Sequence, residues 1–508
     1  MSGKVYLTGA GPGDPKLITL KAMEALQRSD VVIYDRLVSP QLFMYVKPTA
    51  ELIYVGKQPD RHTMKQEEIN QLLVDYASRG LNVTRLKGGD PSVFGRVGEE
   101  AEALAVHGIE YEIIPGVSSV HAVPAYAGIP ITHRDHASSF CVVTGHEKSE
   151  KLATSLNWGH LAHAADTLVF LMGVGRLDVI SEQLIKHGRD PATPVALIRW
   201  GTKPEQETLV GTLSNIVDKV RESGFSSPAV IVVGDVVALR KKLSWIEKRP
   251  LFGKRVLVTR ARAQASEMIR RIEELGGEAV PFPVLEIEPV QDEARLALLD
   301  QALQQLADYN WIVFTSVNGV EHFFRRMREK RLDIRLAAGA RFAAVGPATA
   351  AALLDRGIVP EELPGRFQAE GLAEYLLTKL KPGERVLIPR SSIARDLLPE
   401  ALKAAGYGVT AVDVYDNKPA QTGARWIIDL LEAGDIHIVT FASSSSVHHF
   451  IEALQRYGVR QPEALVNRSK IVCIGPITEA AARERGLVVS ATARESTIDA
   501  MIELLCSL

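Results

Sequence analysis

The sequence has few cysteines and almost no net charge. Its three cysteines, Cys141, Cys473 and Cys506, lie far apart without a Cys-x-x-Cys pair, which argues against a disulfide framework and a zinc site. His133 and His136 have the spacing of no standard metal site, so we expect no bound metal. A formal charge of −2 over 508 residues provides no basic field for nucleic acid.

The sequence also has no long uninterrupted apolar segment. The chain passes from Met-Ser-Gly-Lys directly into a strand-like segment, which leaves no room for a signal peptide. Its longest weakly charged stretch is interrupted by an arginine and a proline and makes a poor membrane span. We therefore expect a cytoplasmic protein that binds small molecules and neither nucleic acid nor membranes.

What is present is an ordinary globular composition, with 46% hydrophobic and 24% charged residues. At about 150 residues per domain, the length predicts three or four domains. Short apolar segments alternate with amphipathic ones in both halves, which is typical of an α/β fold. The predicted strands include Val31–Tyr34, Tyr111–Ile114, Thr167–Met172 and Pro194–Arg199. The polar segment 240–254 has no sustained periodicity, so we place the main boundary there. The predicted division is 1–245, a linker at 246–253, and 254–508.

The second half contains an internal repeat. Each repeated block is predicted to be a short strand, a turn and an amphipathic helix. Three matches in the same order indicate two copies of one α/β unit. The matched blocks are 253–280 with 383–410, 314–323 with 441–450, and 343–358 with 472–487.

Two glycine-rich loops follow strand-like segments in the first half. The loop Gly9–Pro15 lacks the third glycine of a dinucleotide fingerprint, and the next helix begins only after Thr19. The second loop, Gly88-Gly89-Asp90, can bring backbone close to a ribose or amino-acid group, with a carboxylate that accepts hydrogen bonds. Either loop alone is also compatible with an ordinary strand-to-helix turn.

The first half carries several further motifs in a fixed order. They include GAGPGDPKLITLKA, VVIYDRLV, RLKGGDPSVFGRVGEEAEAL, PGVSSV, YAGIPITHRD, TLVFLMGV and SPAVIVVGDVV. Over 4–245 this series resembles the uroporphyrinogen-III C-methyltransferases, with Gln58 and Val97 as departures from the usual pattern. The resemblance implies two α/β lobes, about 1–128 and 129–245, with S-adenosylmethionine in the cleft between them. It also implies a homodimer formed through this half.

The same resemblance implies which residues bind S-adenosylmethionine. Glycine backbone would contact the adenosine, an aspartate would accept hydrogen bonds, and a methionine would supply a soft apolar surface. The implied residues are Pro12, Gly88, Gly89, Asp90, Val93, Ser118, Ser119, Met172 and Gly201.

Two charged residues follow neighbouring predicted strands. Asp35 ends the second strand and Lys57 ends the third, and in a parallel sheet both ends face one crevice. Methylation of a pyrrole carbon requires a ring proton to be removed afterwards. The resemblance implies Asp35 as proton acceptor and Lys57 as proton donor. The alternative is that Asp35 forms a structural ion pair with Arg36 and that Lys57 only anchors a substrate carboxylate.

The repeat places four turns rich in hydroxyl groups where helices are predicted to begin. These are Thr315–Gly319, Gly346–Thr349, Ser443–Ser446 and Gly475–Thr478. Hydroxyls and free backbone N–H groups at a helix start can bind anions without lysine or arginine. Simple helix capping is the alternative.

The second half also contains a series of segments that resembles a known family. The segments VLVTR, FTSVNGVEHF, AAVGPATAAAL, VLIPRSSIARDLL and VCIGPITEAA resemble uroporphyrinogen-III synthase over 254–508. That family has two similar α/β lobes, here 254–287 with 418–508, and 288–417. Its substrate, hydroxymethylbilane, is a linear tetrapyrrole with eight carboxylates that lies between the lobes.

The resemblance further implies the residues of the ring closure, which needs no cofactor. Tyr415 matches a tyrosine that protonates the departing hydroxyl, and Thr349 and Thr478 match hydroxyl positions of the family. Because a phenol is a weak acid and the cation forms readily, we expect Tyr415 to assist without being essential.

The sequence therefore predicts a bifunctional enzyme with two two-lobed α/β halves. The second half would make uroporphyrinogen III, and the first would methylate it twice to precorrin-2, on the route to sirohaem and cobalamin. Two alternative functions are a methyltransferase that acts on another precorrin and a non-catalytic nucleotide sensor. Because the motifs on both sides of the boundary are complete, we expect 1–245 and 250–508 to be active as separate fragments.

Overall fold

The computed structural model describes residues 2–47, 49–56, 64–145, 156–259, 262–282, 285–361, 369–419 and 425–508. Within these ranges, twenty strands form four five-stranded sheets, two in each half, and helices cover them. None of the helices in these ranges is both long and apolar enough to span a membrane. The architecture is α/β, as predicted.

The first sheet is entirely parallel and has the order β3-β2-β4-β1-β5. Its strands are β1 (Val5–Gly9), β2 (Val31–Tyr34), β3 (Glu51–Tyr54), β4 (Val83–Lys87) and β5 (Tyr111–Ile114). Its helices are α1 (Leu20–Arg28), α2 (Gln66–Ser78), α3 (Val97–Val106) and α4 (Ser119–Tyr126). The central strands are covered on both faces and are correspondingly apolar. The carboxyl ends of all five strands lie on the same side of the sheet, and ligands of such sheets bind there.

The second sheet is mixed and has the order β6-β7-β10-β8-β9. Its strands are β6 (Phe140–Thr144), β7 (Thr167–Leu171), β8 (Pro194–Arg199), β9 (Glu207–Thr212) and β10 (Ala229–Val233). Its helices are α5 (Trp158–Ala164), α6 (Leu177–Lys186), α7 (Ile216–Ser223) and α8 (Arg240–Leu243). Strand β10 is antiparallel to both its neighbours, and β9 closes one edge against β8.

The second half contributes ten strands. They are β11 (Arg255–Val258), β12 (Glu278–Pro281), β13 (Leu285–Pro289), β14 (Trp311–Phe314), β15 (Arg341–Ala344), β16 (Arg385–Ser391), β17 (Gly408–Pro419), β18 (Ile438–Phe441), β19 (Lys470–Cys473) and β20 (Val489–Thr492). One lobe, lobe A, has the parallel sheet β12-β11-β18-β19-β20. The other, lobe B, has the sheet β13-β17-β16-β14-β15, in which only β13 is antiparallel.

Eleven helices accompany these strands in the described part of the second half. They are α9 (Arg262–Glu274), α10 (Glu293–Gln304), α11 (Val317–Glu329), α12 (Pro347–Leu354), α13 (Ala369–Lys379), α14 (Leu397–Ala404), α15 (Arg425–Ala433), α16 (Ser444–Arg456), α17 (Pro462–Val466), α18 (Pro476–Glu484) and α19 (Ile498–Cys506).

The internal repeat is confirmed by the strand order of the two lobes. Strands β12-β11-β18-β19 of lobe A correspond to β17-β16-β14-β15 of lobe B, because the two strands of each pair lie in, or lead directly into, matched sequence blocks. Each lobe therefore combines the first block of one sequence copy with the second and third blocks of the other. The chain leaves lobe A after β12 and returns to it after β17.

The segment between the halves is folded against both of them. Ile246 and Leu251 are buried, and Leu251 packs with Val256 and Met268 in the core of lobe A. The backbone N–H of Leu251 donates to the carbonyl of Leu275 at 2.9 Å. This segment therefore holds the two halves close together.

Candidate active sites

The two glycine-rich loops of the first half are joined to each other by backbone hydrogen bonds. Gly11 and Gly89 exchange two bonds, of 3.2 Å from the Gly11 N–H and 2.7 Å from the Gly89 N–H. Ala10 N–H also donates to the carbonyl of Lys87 at 2.7 Å. The predicted cofactor loops after β1 and β4 consequently form one surface at the open edge of the first sheet.

Glycine is sterically required at the centre of this surface. A Cβ on Gly9 would lie 2.6 Å from the Cα of Gly116, and a Cβ on Gly116 would lie 2.3 Å from the carbonyl oxygen of Gly89. Gly89 itself has φ of 70°, in the left-handed region. The ends of β1, β4 and β5 thus meet backbone to backbone, with no room for a side chain between them, and we call this backbone surface the glycine cradle.

Asp90 holds the shape of the second loop. Its carboxylate accepts hydrogen bonds from the N–H of Gly116 at 2.9 Å and from the N–H of Ser92 at 2.8 Å, and it also contacts the Ser92 hydroxyl. Val93 packs against the cluster that contains Val120 of α4. The role visible for Asp90 is therefore to fasten the loop to the end of β5.

The predicted cofactor residues of the second lobe lie in strained turns. Met172 follows β7 with φ of 56°, and Trp200 and Thr202 flank Gly201 with φ of 48° and 69°. Left-handed backbone is costly for residues with a side chain and is concentrated at functional sites. A Cβ on Gly201 would lie 2.4 Å from a methyl group of Val123, so this turn is packed directly on α4.

The first loop bridges the two lobes. The N–H of Asp14 donates to the hydroxyl of Thr202 at 3.0 Å, and the hydroxyl of Tyr126 donates to the Asp14 carboxylate at 2.9 Å. Ser118 caps α4, and the N–H of Ser119 would lie 3.7 Å from a Cβ on Gly89. These contacts connect the loops that carry Pro12, Gly88–Val93, Ser118-Ser119 and Gly201, so these loops lie together where the two sheets meet.

Asp35 lies at the end of β2, at the same edge as the cofactor loops. Its carboxylate accepts from the N–H of Leu37 at 3.1 Å and lies 3.6 Å from the guanidinium of Arg85. The alternative of an Asp35–Arg36 ion pair is not what forms, since the Arg36 guanidinium lies over the ring of Trp200, 5.6 Å from its centroid. Lys57 lies outside the described residues. Strand β3, which precedes it, pairs with β2 as far as Tyr54 and Tyr34.

A buried charge network lies next to Asp35, and the sequence analysis did not predict it. Glu100 is fully buried and accepts from Lys87 at 2.7 Å, Arg85 at 3.2 Å and Gln66 at 3.2 Å. Burial lowers the pKa of Lys87, and the nearby Arg85 lowers it further. The network fixes the Arg85 guanidinium, which in turn holds the Asp35 carboxylate in place.

Tyr415 lies in lobe B and contacts one of the predicted hydroxyl-rich turns. Its buried hydroxyl is 3.1 Å from the hydroxyl of Ser316, and its ring centroid is 5.4 Å from that of His322. Burial, together with the nearby Arg325 guanidinium, lowers the pKa of His322 to about 4. A neutral imidazole and a serine hydroxyl therefore surround the phenol at neutral pH.

Thr349 and Thr478 occupy equivalent positions in the two lobes. Each is the third residue of its helix, α12 or α18, and each side chain is buried. The preceding turns do begin helices, as predicted. Ser316 and Ser443 cap α11 and α16 with their side chains, so capping accounts for these two hydroxyls.

A cavity of about 360 Å³ opens at the carboxyl ends of β14, β15 and β16 in lobe B. Thr315, Arg390 and Arg395 contribute to its lining. Arg390 pairs with Asp396 at 2.6 Å, and Arg395 pairs with Glu370 at 3.1 Å. Guanidinium groups match carboxylates in geometry and charge, which suits this cavity to an acidic ligand.

Two family models match the chain. The family model of tetrapyrrole (corrin/porphyrin) methylases matches residues 4–217, and that of uroporphyrinogen-III synthase HemD matches 266–503. A porphyrin biosynthesis protein HemD of Ruminiclostridium josui is 38% identical over 99% of this chain and 97% of that protein. A uroporphyrinogen-III C-methyltransferase of Bacillus subtilis is 39% identical over 93% of this chain and 92% of that protein.

A solved structure of uroporphyrin-III C-methyltransferase from Thermus thermophilus, complexed with S-adenyl homocysteine, is 40% identical. The match covers 47% of this chain and 100% of the Thermus thermophilus chain, with a TM-score of 0.41.

Fold and sites together define a two-part tetrapyrrole enzyme, with a methylase in the first half and a synthase in the second. The chain belongs to the HemD-type porphyrin biosynthesis proteins, in which a uroporphyrinogen-III C-methyltransferase and a uroporphyrinogen-III synthase are fused.

Proposed function

We propose that the second half cyclises hydroxymethylbilane to uroporphyrinogen III and that the first half methylates this product twice, giving precorrin-2. The observation that supports the methylation most strongly is the glycine cradle at Gly9, Gly89 and Gly116, joined through Asp14 to the Thr202 turn. Family membership over the whole chain supports both activities.

S-adenosylmethionine is the methyl donor in this proposal, and it would supply an electrophilic methyl group. The backbone surface suits its adenosine at Gly89, where a Cβ would meet only the backbone N of Ser119, at 3.7 Å, so a ligand can approach the main chain closely. The half-exposed Met172 offers an apolar contact. The residues that would hold it are Pro12, Gly88, Gly89, Asp90, Val93, Ser118, Ser119, Met172 and Gly201.

Asp35 and Lys57 would handle the protons of the methylation. The Asp35 carboxylate would accept the proton that leaves the methylated pyrrole carbon, and Lys57 would donate a proton to the macrocycle. The Arg85 guanidinium, 3.6 Å from one carboxylate oxygen, and the Leu37 N–H, 3.1 Å from the other, support this role because they orient the carboxylate. Lys57 remains a prediction from the sequence.

The synthase half would fold the linear substrate and help its hydroxyl to leave. Tyr415 would donate the proton to the departing hydroxyl, and Ser316 would orient the phenol. Arg390 and Arg395 would bind acidic side chains of the substrate. Thr349 and Thr478 are both buried in the first turn of α12 and α18. They would contribute to substrate binding by shaping these helix N-termini.

Further parts of the proposal rest on the sequence. We propose the halves 1–245 and 254–508, a homodimer formed through the methyltransferase half, a cytoplasmic location and chemistry without a metal.

Two assays on the purified chain test this function. With hydroxymethylbilane alone, it should give uroporphyrinogen III. With uroporphyrinogen III and S-adenosylmethionine, it should add two methyl groups. Turnover of another precorrin, with none of uroporphyrinogen III, would favour the other methyltransferase. Binding of S-adenosylmethionine without any turnover would favour a sensor.

A further inference from the structure

The two halves meet through a buried ion-pair network. Arg255, the first residue of β11, keeps only 6% of its side chain exposed. Its guanidinium contacts Glu278 of the same half at 2.5 Å and Glu205 of the methyltransferase half at 2.6 Å. One carboxylate from each half is therefore held by the same cation. We call this contact region the junction.

Two more polar contacts cross the junction. The side-chain amide of Gln41 donates to Glu278 at 2.6 Å, and Lys16 forms an ion pair with Glu273 of α9. Burial raises the pKa of Glu278, and Arg255 opposes that rise. Burial also raises the pKa of Glu273, and Lys16 opposes it. The carboxylates of the second half are thus partly removed from water and matched by donors of the first.

The junction encloses a cavity whose walls include the cofactor loops. The cavity of about 130 Å³ is lined on one side by Asp14, Tyr126 and Thr202, and on the other by Glu273 and Glu278. Asp14, Tyr126 and Thr202 are the residues that tie the first loop to the second lobe. Lys16 lies two residues beyond Asp14, and its N–H donates to the Asp14 carboxylate.

We propose that the synthase half holds two segments of the methyltransferase half in their ligand-binding shape: the Gly9–Leu17 loop through the Glu273–Lys16 pair, and the Trp200–Gln206 turn through the Arg255–Glu205 pair, in which Glu278 fixes Arg255. The nature of that ligand rests on the proposed function. Because coupling between two sites is reciprocal, a ligand of the cleft should also stabilise the junction.

A double variant of the full-length chain tests this coupling. Glu205→Gln with Glu273→Gln removes one charge from each side of the junction at constant size, and neither residue is among the proposed cofactor-binding residues. The matched control is Glu207→Gln with Glu274→Gln. Glu207 lies 3.9 Å from Arg199 of its own half, and Glu274 pairs with Arg270 within α9 at 2.6 Å.

The first readout is hydrogen exchange of the chain without ligand. Amides in 9–17 and 200–206 should exchange faster in the junction variant than in the wild type, and at the wild-type rate in the control. Equal exchange in all three proteins would overturn the proposal. This readout needs no ligand, so it tests whether the junction holds the two segments even if the proposed function is wrong.

The second readout is calorimetric titration with S-adenosylhomocysteine. Loss of the Arg255–Glu205 and Lys16–Glu273 pairs should weaken its affinity about three- to tenfold in the junction variant, and the control should stay within about twofold of the wild type. Unchanged affinity of the junction variant would contradict the coupling. If the wild type bound no S-adenosylhomocysteine while the exchange result held, the failure would lie in the proposed function.

Discussion

Asp35 combines an open position with a constrained side chain. Its carboxylate lies at the edge where the strands of the first sheet end, yet Arg85 and the N–H of Leu37 fix its orientation. Arg85 is itself fixed by the buried Glu100. A carboxylate held in this way can receive a proton repeatedly without changing its position.

Replacing Asp35 by asparagine should separate chemistry from binding. The amide keeps the size of the side chain but cannot accept the ring proton, so methyl transfer should fall by about 10²-fold or more, the usual size of a general-base contribution. Affinity for S-adenosylhomocysteine, measured by calorimetry, should be unchanged. Near-normal turnover would show that Asp35 is not the proton acceptor and only anchors substrate.

His322 should make lobe B less stable in mild acid. Its pKa is about 4 in the folded chain against 6.5 as the ordinary value, because burial disfavours the charged ring. Between these values the unfolded chain binds a proton that the folded chain does not, so the free energy of unfolding falls as the pH falls from 6.5 to 4. His322→Gln should show a smaller loss between pH 7 and pH 5 in urea denaturation. An identical loss in both proteins would refute this assignment.

At the level of elements, the cofactor cleft depends on three strand ends that meet without side chains. Gly116→Ala would place a Cβ 2.3 Å from the carbonyl oxygen of Gly89. Relieving that overlap should cost about 1–3 kcal/mol of the free energy of unfolding, and it should weaken binding of S-adenosylhomocysteine. The control is Gly98→Ala in α3, where a Cβ meets nothing within 4 Å. Equal ligand affinity in both variants would show that the cradle is not the binding surface.

Many elements could be predicted from the sequence because apolar strands alternate with amphipathic helices. The strands Val31–Tyr34, Tyr111–Ile114 and Pro194–Arg199 have the predicted bounds. Strand β9, at Glu207–Thr212, was missed because it is a half-exposed edge strand without a clear apolar pattern. Met172 was expected to continue a strand, but it turns into the left-handed region, which no local pattern indicates.

The contacts around the candidate sites were harder to predict. Nothing in the sequence indicates that Arg85 and Glu100 are buried, and only the fold shows that they form an ion pair in the interior. The Tyr415–Ser316 contact joins residues 99 positions apart, so spacing gives no signal for it. Charged residues that pair across the fold leave no periodicity, unlike apolar ones.

At the scale of the whole molecule, each half keeps its own core. The apolar clusters among the described residues each stay within one half or include only Leu251 from the connecting segment. The halves are joined by polar contacts such as Arg255–Glu205. This pattern favours halves that fold separately and influence each other through loop shape.

Fragments 1–245 and 250–508 should therefore keep their respective activities. Mixed at equal concentration with saturating S-adenosylmethionine, they should convert hydroxymethylbilane to precorrin-2 at close to the rate of the intact chain, because both clefts must open to admit a bulky polyanion. A coupled time course of both preparations measures this. A long lag or accumulation of uroporphyrinogen III with the fragments alone would show that the fused chain transfers the intermediate directly.

The most direct test of the two-activity account is a single incubation of the intact chain with hydroxymethylbilane and S-adenosylmethionine, followed by mass and isomer analysis of the products. The account predicts a doubly methylated tetrapyrrole with an inverted last pyrrole, and uroporphyrinogen III alone when S-adenosylmethionine is omitted. An unmethylated macrocycle without the inversion, at the rate seen without enzyme, would contradict it.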